Sequence, residues 1–89
     1  MTVPDSDLVN LDMTIARFIA PRIRAFRERN TGHPFALTDE AWDAALADIA
    51  FAFERITNDC HYGASDKATS DRVERGLTLF SKHLQDLWI

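Results

Sequence analysis

Fifteen residues constrain this chain more than any others: WDAALADIAFAFERI, Trp42 to Ile56, with no glycine or proline among them. Trp42, Ala45, Leu46, Ile49, Phe53 and Ile56 recur at steps of three or four, which sets them on one stripe of an α-helix. A chain of 89 residues encloses its own core only marginally, so a helix this apolar has to be central to it. Two further amphipathic segments, Leu8 to Arg29 and Asp66 to Trp88, flank it and supply the other faces. The expectation is one all-α domain over residues 1–89, a compact three-helix bundle. Its helices should span about 7–29, with a kink or break near 21, then 39–57 and 66–88.

The boundaries follow from local chemistry. Asp5 or Ser6 is placed to cap the first helix. Leu8, Leu11, Ile15, Phe18, Ile19, Ile23 and Phe26 then keep helical spacing as its apolar stripe. Pro21 removes one backbone bond and crowds the carbonyl four residues back, which predicts the kink or break near 17–21. Gly32 suits a left-handed cap, and Pro34 cannot continue a helix. Thr38 reads as the next N-cap, with Asp39 and Glu40 at the positive end of the helix dipole and Leu37 and Trp42 at staple positions. Residues 58–65 are turn formers, and Ser65 or Asp66 caps the last helix. There Val73, Leu77, Phe80, Leu84 and Leu87 step 4-3-4-3, the repeat of an interhelical seam. Gly76 beside that seam would let another helix come close.

Six Phe and two Trp are more large apolar surface than three short helices easily hide, so some is expected against a second copy or another protein. Apolar content of 46% with 27% charged residues rules against disorder. The charge is uneven. Residues 1–36 carry five Arg against four acids, and residues 37–89 ten acids against five bases. A net charge of -4 counts against general nucleic-acid binding, which needs a basic surface. With one cysteine, Cys60, no internal disulfide can form, and no apolar run nears the ~18–20 residues of a membrane span. A cytoplasmic protein with no membrane partner is expected.

Candidate chemistry is sparse. Cys60-His61, His33 and His83 lack the spacing by which a loop wraps a tetrahedral metal, and His61 adjoins Cys60 too closely to act as its base. Asp43, Asp48, Glu54, Asp71 and Glu74 lack the doubled carboxylate ladder that holds octahedral ions, and read as a solvated acidic face. No catalytic residue, cofactor or metal is expected. Arg17, Arg24 and Arg27 lie off the apolar stripe and Arg22 at its edge. They form either a solvated face, with Arg22 paired to Asp12 or Asp43, or a contact for an anionic partner. Phe51 lies across the helix from the main stripe, and Leu79 and Trp88 lie off or at the edge of theirs. Either the first helix wraps over them or they mark an interface.

Taken in order, Asn10-Leu11-Asp12, Phe18-Ile19-Ala20-Pro21-Arg22-Ile23, Gly32-His33-Pro34, Trp42-Asp43 with Phe53, and Gly76-Leu77-Thr78-Leu79-Phe80 through Asp86-Leu87-Trp88 resemble a family of small helical proteins of tailed bacteriophages and prophages. The resemblance spans about residues 8–88 and implies a phage or prophage origin with no catalytic role. The expected function is therefore non-enzymatic binding of a host or phage protein, as an inhibitor of a host defence protein, through Arg17, Arg22, Arg24, Arg27, Phe51 and Trp88. The alternatives are a virion-assembly homodimer and a nucleotide-binding protein.

Overall fold

A computed structural model describes residues 2–30, 32–58 and 66–88. They form four helices and a terminal turn, with no strand among the described residues: α1 (Ser6–Val9), α2 (Leu11–Arg29), α3 (Asp39–Asn58), α4 (Lys67–His83) and a 3₁₀ turn at Leu84–Asp86. The fold class is all-α. Expectations for Cys60, His61 and Ser65 fall outside the described residues.

α3 is the centre, as its sequence demanded. Trp42, Ala45, Leu46, Ile49, Ala50, Ala52, Phe53 and Ile56 are all buried along it. Thr38 caps it, its Oγ1 accepting from the Ala41 amide at 3.1 Å. Both α2 and α4 pack along α3 but hardly touch each other. The radius of gyration is 14.0 Å, above the ~12 Å of a compact domain this long. The compact bundle expected from the sequence is thus more open, two helices held on a common third.

α4 sits on α3 closely because Gly76 permits it. A Cβ at Gly76 would fall on the Asp48 carbonyl oxygen and 2.6 Å from the Ala52 Cβ. Beside that contact Asp48 accepts from Arg72 Nε at 2.9 Å and from Arg75 Nε at 3.2 Å, two bonds that clasp the helices. Val73, Gly76 and His83 are buried, and Leu77, Leu79, Phe80 and Leu87 pack against the core. Of the two proposed caps Asp66 serves, accepting from the Thr69 amide at 2.8 Å.

Four local expectations are corrected. The first helix is not broken near Pro21: the helix runs on through that residue, and the interruption falls at Asn10, whose φ of -132° and ψ of 68° are not helical. Pro21 has a φ that suits a helix and forfeits one bond, while Ala16, Ala20 and Ile23 of the same helix are anchored in the core. Neither Asp5 nor any other side chain caps α1, which begins on backbone bonds to Pro4 and Asp5. Gly32 adopts no left-handed conformation; α2 ends at Asn30 in extended backbone, its side-chain amide donating to the Gly32 carbonyl. The last helix also stops at His83 rather than 88, which leaves Leu84 of the expected seam 54% exposed.

Candidate functional site

The residues expected to bind a partner fall in three separate places. Arg24, Arg27 and Phe51 come together in one shallow groove between α2 and α3, with Glu28, Asp43, Glu54 and Arg72. Trp88 is 76% exposed at the far end of the chain, beside a cleft with His33, Pro34, Trp42 and Asp86. Arg17 and Arg22 belong to neither and stand exposed on α2.

Within the groove the arginines are already engaged. Arg27 forms a two-pronged pair with Asp43, Nε to Oδ1 at 2.8 Å and Nη2 to Oδ2 at 2.9 Å. The hydrogen bond from Arg27 holds the Asp43 carboxyl below its ordinary value. Arg24 pairs with Glu54, and that hydrogen bond raises the Arg24 guanidinium further above its ordinary range. Phe51 is half-buried, with the Arg72 guanidinium 4.1 Å from its ring centroid. It is therefore not open: the Arg72 guanidinium lies on it. An anion entering here would have to displace carboxylates from both arginines.

The buried polar side chain that sequence reasoning passed over is His83. Its Nδ1 lies 2.9 Å from Asp86 Oδ2, and its ring meets Trp42 edge to face at 5.2 Å. Asp86 and the indole thus fix the turn that ends α4, a structural role for a residue three positions before its carboxylate. Among the described residues no three His, Cys, Asp or Glu side chains gather as a metal site requires. Nor is any described helix long and apolar enough to cross a membrane.

The least expected feature is on α2. Its buried residues are Ala16, Ala20 and Ile23, while Leu11, Ile15 and Phe18 are 46%, 47% and 57% exposed. Leu8 and Val9 of α1 extend the exposed apolar surface at its N-terminal end. The expected stripe was read as one face, but it divides in two: Ile19, Ile23 and Phe26 turn to the core and Leu11, Ile15 and Phe18 turn out. Ala16, Ala20 and Ile23 step 4-3 beside the larger residues, so spacing alone fits either set to the inward face.

Arg22 borders this outward face. It pairs with neither Asp12 nor Asp43. Its Nη1 donates to the Phe18 carbonyl at 2.9 Å and its guanidinium lies 3.8 Å from the Phe18 ring centroid. No carboxylate within the described chain reaches Arg17, Arg22 or Arg29, whereas Arg24, Arg27, Arg72 and Arg75 each have one. No protein-family model, curated protein or solved structure matches the chain, so the reading of this surface rests on its own chemistry.

Proposed function

We propose that the chain is a non-enzymatic, protein-binding accessory protein of phage or prophage origin, and that it binds through the outward face of α1 and α2. One observation carries this reading: α2 buries alanines and exposes Leu11, Ile15 and Phe18 in a row. A helix whose large apolar side chains face water loses the transfer free energy that should drive its packing, about 1.5–3 kcal/mol for each such side chain. A contiguous patch of that kind is a feature of interaction surfaces.

The residues favoured from sequence take secondary places in this reading. Arg17 and Arg22 border the patch and steer an approaching acidic surface. Arg24 and Arg27 hold α2 on α3, Phe51 lies under Arg72 of α4, and Trp88 is a separate exposed anchor. The engaged arginines of the groove weigh against a nucleotide-binding role. Action on a host defence protein in the bacterial cytoplasm, by steric occlusion, is the setting that size and resemblance favour.

The test is a pull-down from nuclease-treated bacterial lysate with the wild-type chain and the Leu11→Asp/Phe18→Asp variant. Retention of one stoichiometric protein by the wild type and its loss with the variant supports the reading. Equal retention by both places the contact elsewhere and overturns it.

A further inference from the structure

We infer that the partner for this face is a second copy of the chain, docked antiparallel along α2. The inference rests on the protein-binding reading and puts a second copy, rather than a host protein, on this face.

The spacing comes first. Leu11, Ile15, Phe18, Arg22, Ala25 and Arg29 step 4-3-4-3-4 along α2, the repeat of a seam packed helix against helix. All but Ala25 are exposed, and Ala25 is half-exposed. The seam is therefore unfilled along its whole length.

Charge then chooses the occupant and its direction. The N-terminal end of the face carries Asp5, Asp7 and Asp12, and the C-terminal end carries Arg22 and Arg29. Among the described residues none of these five meets an opposite charge within its own chain. A parallel copy would set acids on acids and arginines on arginines. An antiparallel copy sets each acidic end on the partner's basic end, and the two helix dipoles oppose as well. With Leu11 facing the partner's Phe18, a two-fold axis falls near Ile15, which then meets its own counterpart. Asp12 comes level with Arg17 of the other copy, and Arg22 reaches past the start of its α2 toward Asp7 and Leu8 of α1. In the isolated chain Arg22 rests on the Phe18 ring; in the pair it exchanges that ring for a carboxylate.

The apolar run from Leu11 to Phe18 covers only about 10 Å of helix at 1.5 Å per residue. It falls short of the ~800 Å² per partner of a durable interface. The dimer should accordingly be weak and concentration-dependent.

Sedimentation of the full chain tests it, together with single cysteines in a Cys60→Ser background. The wild type should shift from monomer to dimer with rising concentration. Ile15→Cys should oxidise to a linked dimer far faster than Leu11→Cys or Phe18→Cys, because only position 15 meets itself. Arg22→Glu should raise the dissociation constant roughly tenfold, through two symmetry-related contacts. Mixing that variant with Asp7→Lys should restore the dimer. A chain that stays monomeric at every concentration overturns the inference. So does equal cross-linking at all three positions, which means a parallel or unspecific contact, and so does a dimer unaffected by Ile15→Asp. A monomeric wild type that still holds a lysate protein through the stripe would leave the protein-binding reading standing while removing this one.

Discussion

α4 and α2 both pack on α3, and they do so in opposite ways. α4 turns its large residues inward: Val73 is fully buried, Leu77 and Phe80 pack on the core, and Gly76 lets the backbones nearly touch. α2 buries Ala16, Ala20 and Ile23 with Met13, Ile19 and Phe26 packed beside them, yet leaves Leu11, Ile15 and Phe18 about half exposed. A chain that folded only for itself would gain by burying the second set as well, since transfer free energy scales with the apolar area removed from water. The α3–α4 half is the part of the molecule that is finished. α2 is a helix with two apolar faces, one for α3 and one for something else.

The contrast breaks most decisively at Gly76. Gly76→Leu puts a side chain where the Asp48 carbonyl stands, and a backbone atom in a helix cannot swing away. We expect a loss of about 3 kcal/mol or more in urea unfolding, set against the ~1 kcal/mol that removing a helical glycine returns. A neutral result would mean that the α3–α4 contact is not tight and that both flanking helices are loosely held. Ala20→Leu is the matching change on α2, at a site 6% exposed. Overpacking there should cost about 1–3 kcal/mol, less than at Gly76 because α2 has little contact with α4 and has room to shift. Equal costs at the two sites would erase the difference between the halves.

The outward face gives the next smaller effect on stability. Leu11→Asp/Phe18→Asp should change the unfolding free energy by no more than about 0.5 kcal/mol, as surface substitutions do, while abolishing partner capture. A large destabilisation would show that these side chains belong to the fold after all.

Much of this was legible in the sequence. The α3 stripe, the Thr38 cap, the Asp66 cap and the close approach at Gly76 each follow from a local rule, and local rules need no knowledge of the neighbours. The two faces of α2 did not follow, because helical spacing admits Leu11, Ile15 and Phe18 and Ala16, Ala20 and Ile23 equally well. Which set goes inside depends on the surface α3 offers. The break at Asn10 rather than Pro21 is similar: proline's cost is local, but tolerance of it comes from the anchoring of Ala16, Ala20 and Ile23. Of the candidate site, Arg24, Arg27 and Phe51 line one groove, although in the sequence they stand as separate features of two helices. Their engagement by Asp43, Glu54 and Arg72 is a matter of tertiary pairing that single-helix spacing cannot reveal.

The smallest expected effect is acid sensitivity, and it separates the halves once more. A hydrogen bond from Arg27 lowers the Asp43 carboxyl from its ordinary 3.8, and the Thr69 amide lowers that of Asp66. A carboxylate whose folded value is depressed adds stability that is complete above its unfolded value and is lost as pH falls through the folded one. Neither group should therefore matter near neutrality, and both should begin to weaken the fold as pH drops below 3.8. The two respond differently to amide replacement. Asp66→Asn keeps a neutral acceptor for the Thr69 amide, so the start of α4 should hold in acid better than in the wild type. Asp43→Asn leaves Arg27 without its charged partner, so acid sensitivity should fall only because the neutral-pH thermal midpoint has already dropped. Thermal midpoints of the three chains between pH 7 and 2.5 decide the matter. An Asp43→Asn profile that overlies the wild type would mean the Arg27 pair contributes nothing measurable, as many exposed pairs do. α2 would then be held on α3 by its apolar face and the Arg24–Glu54 pair.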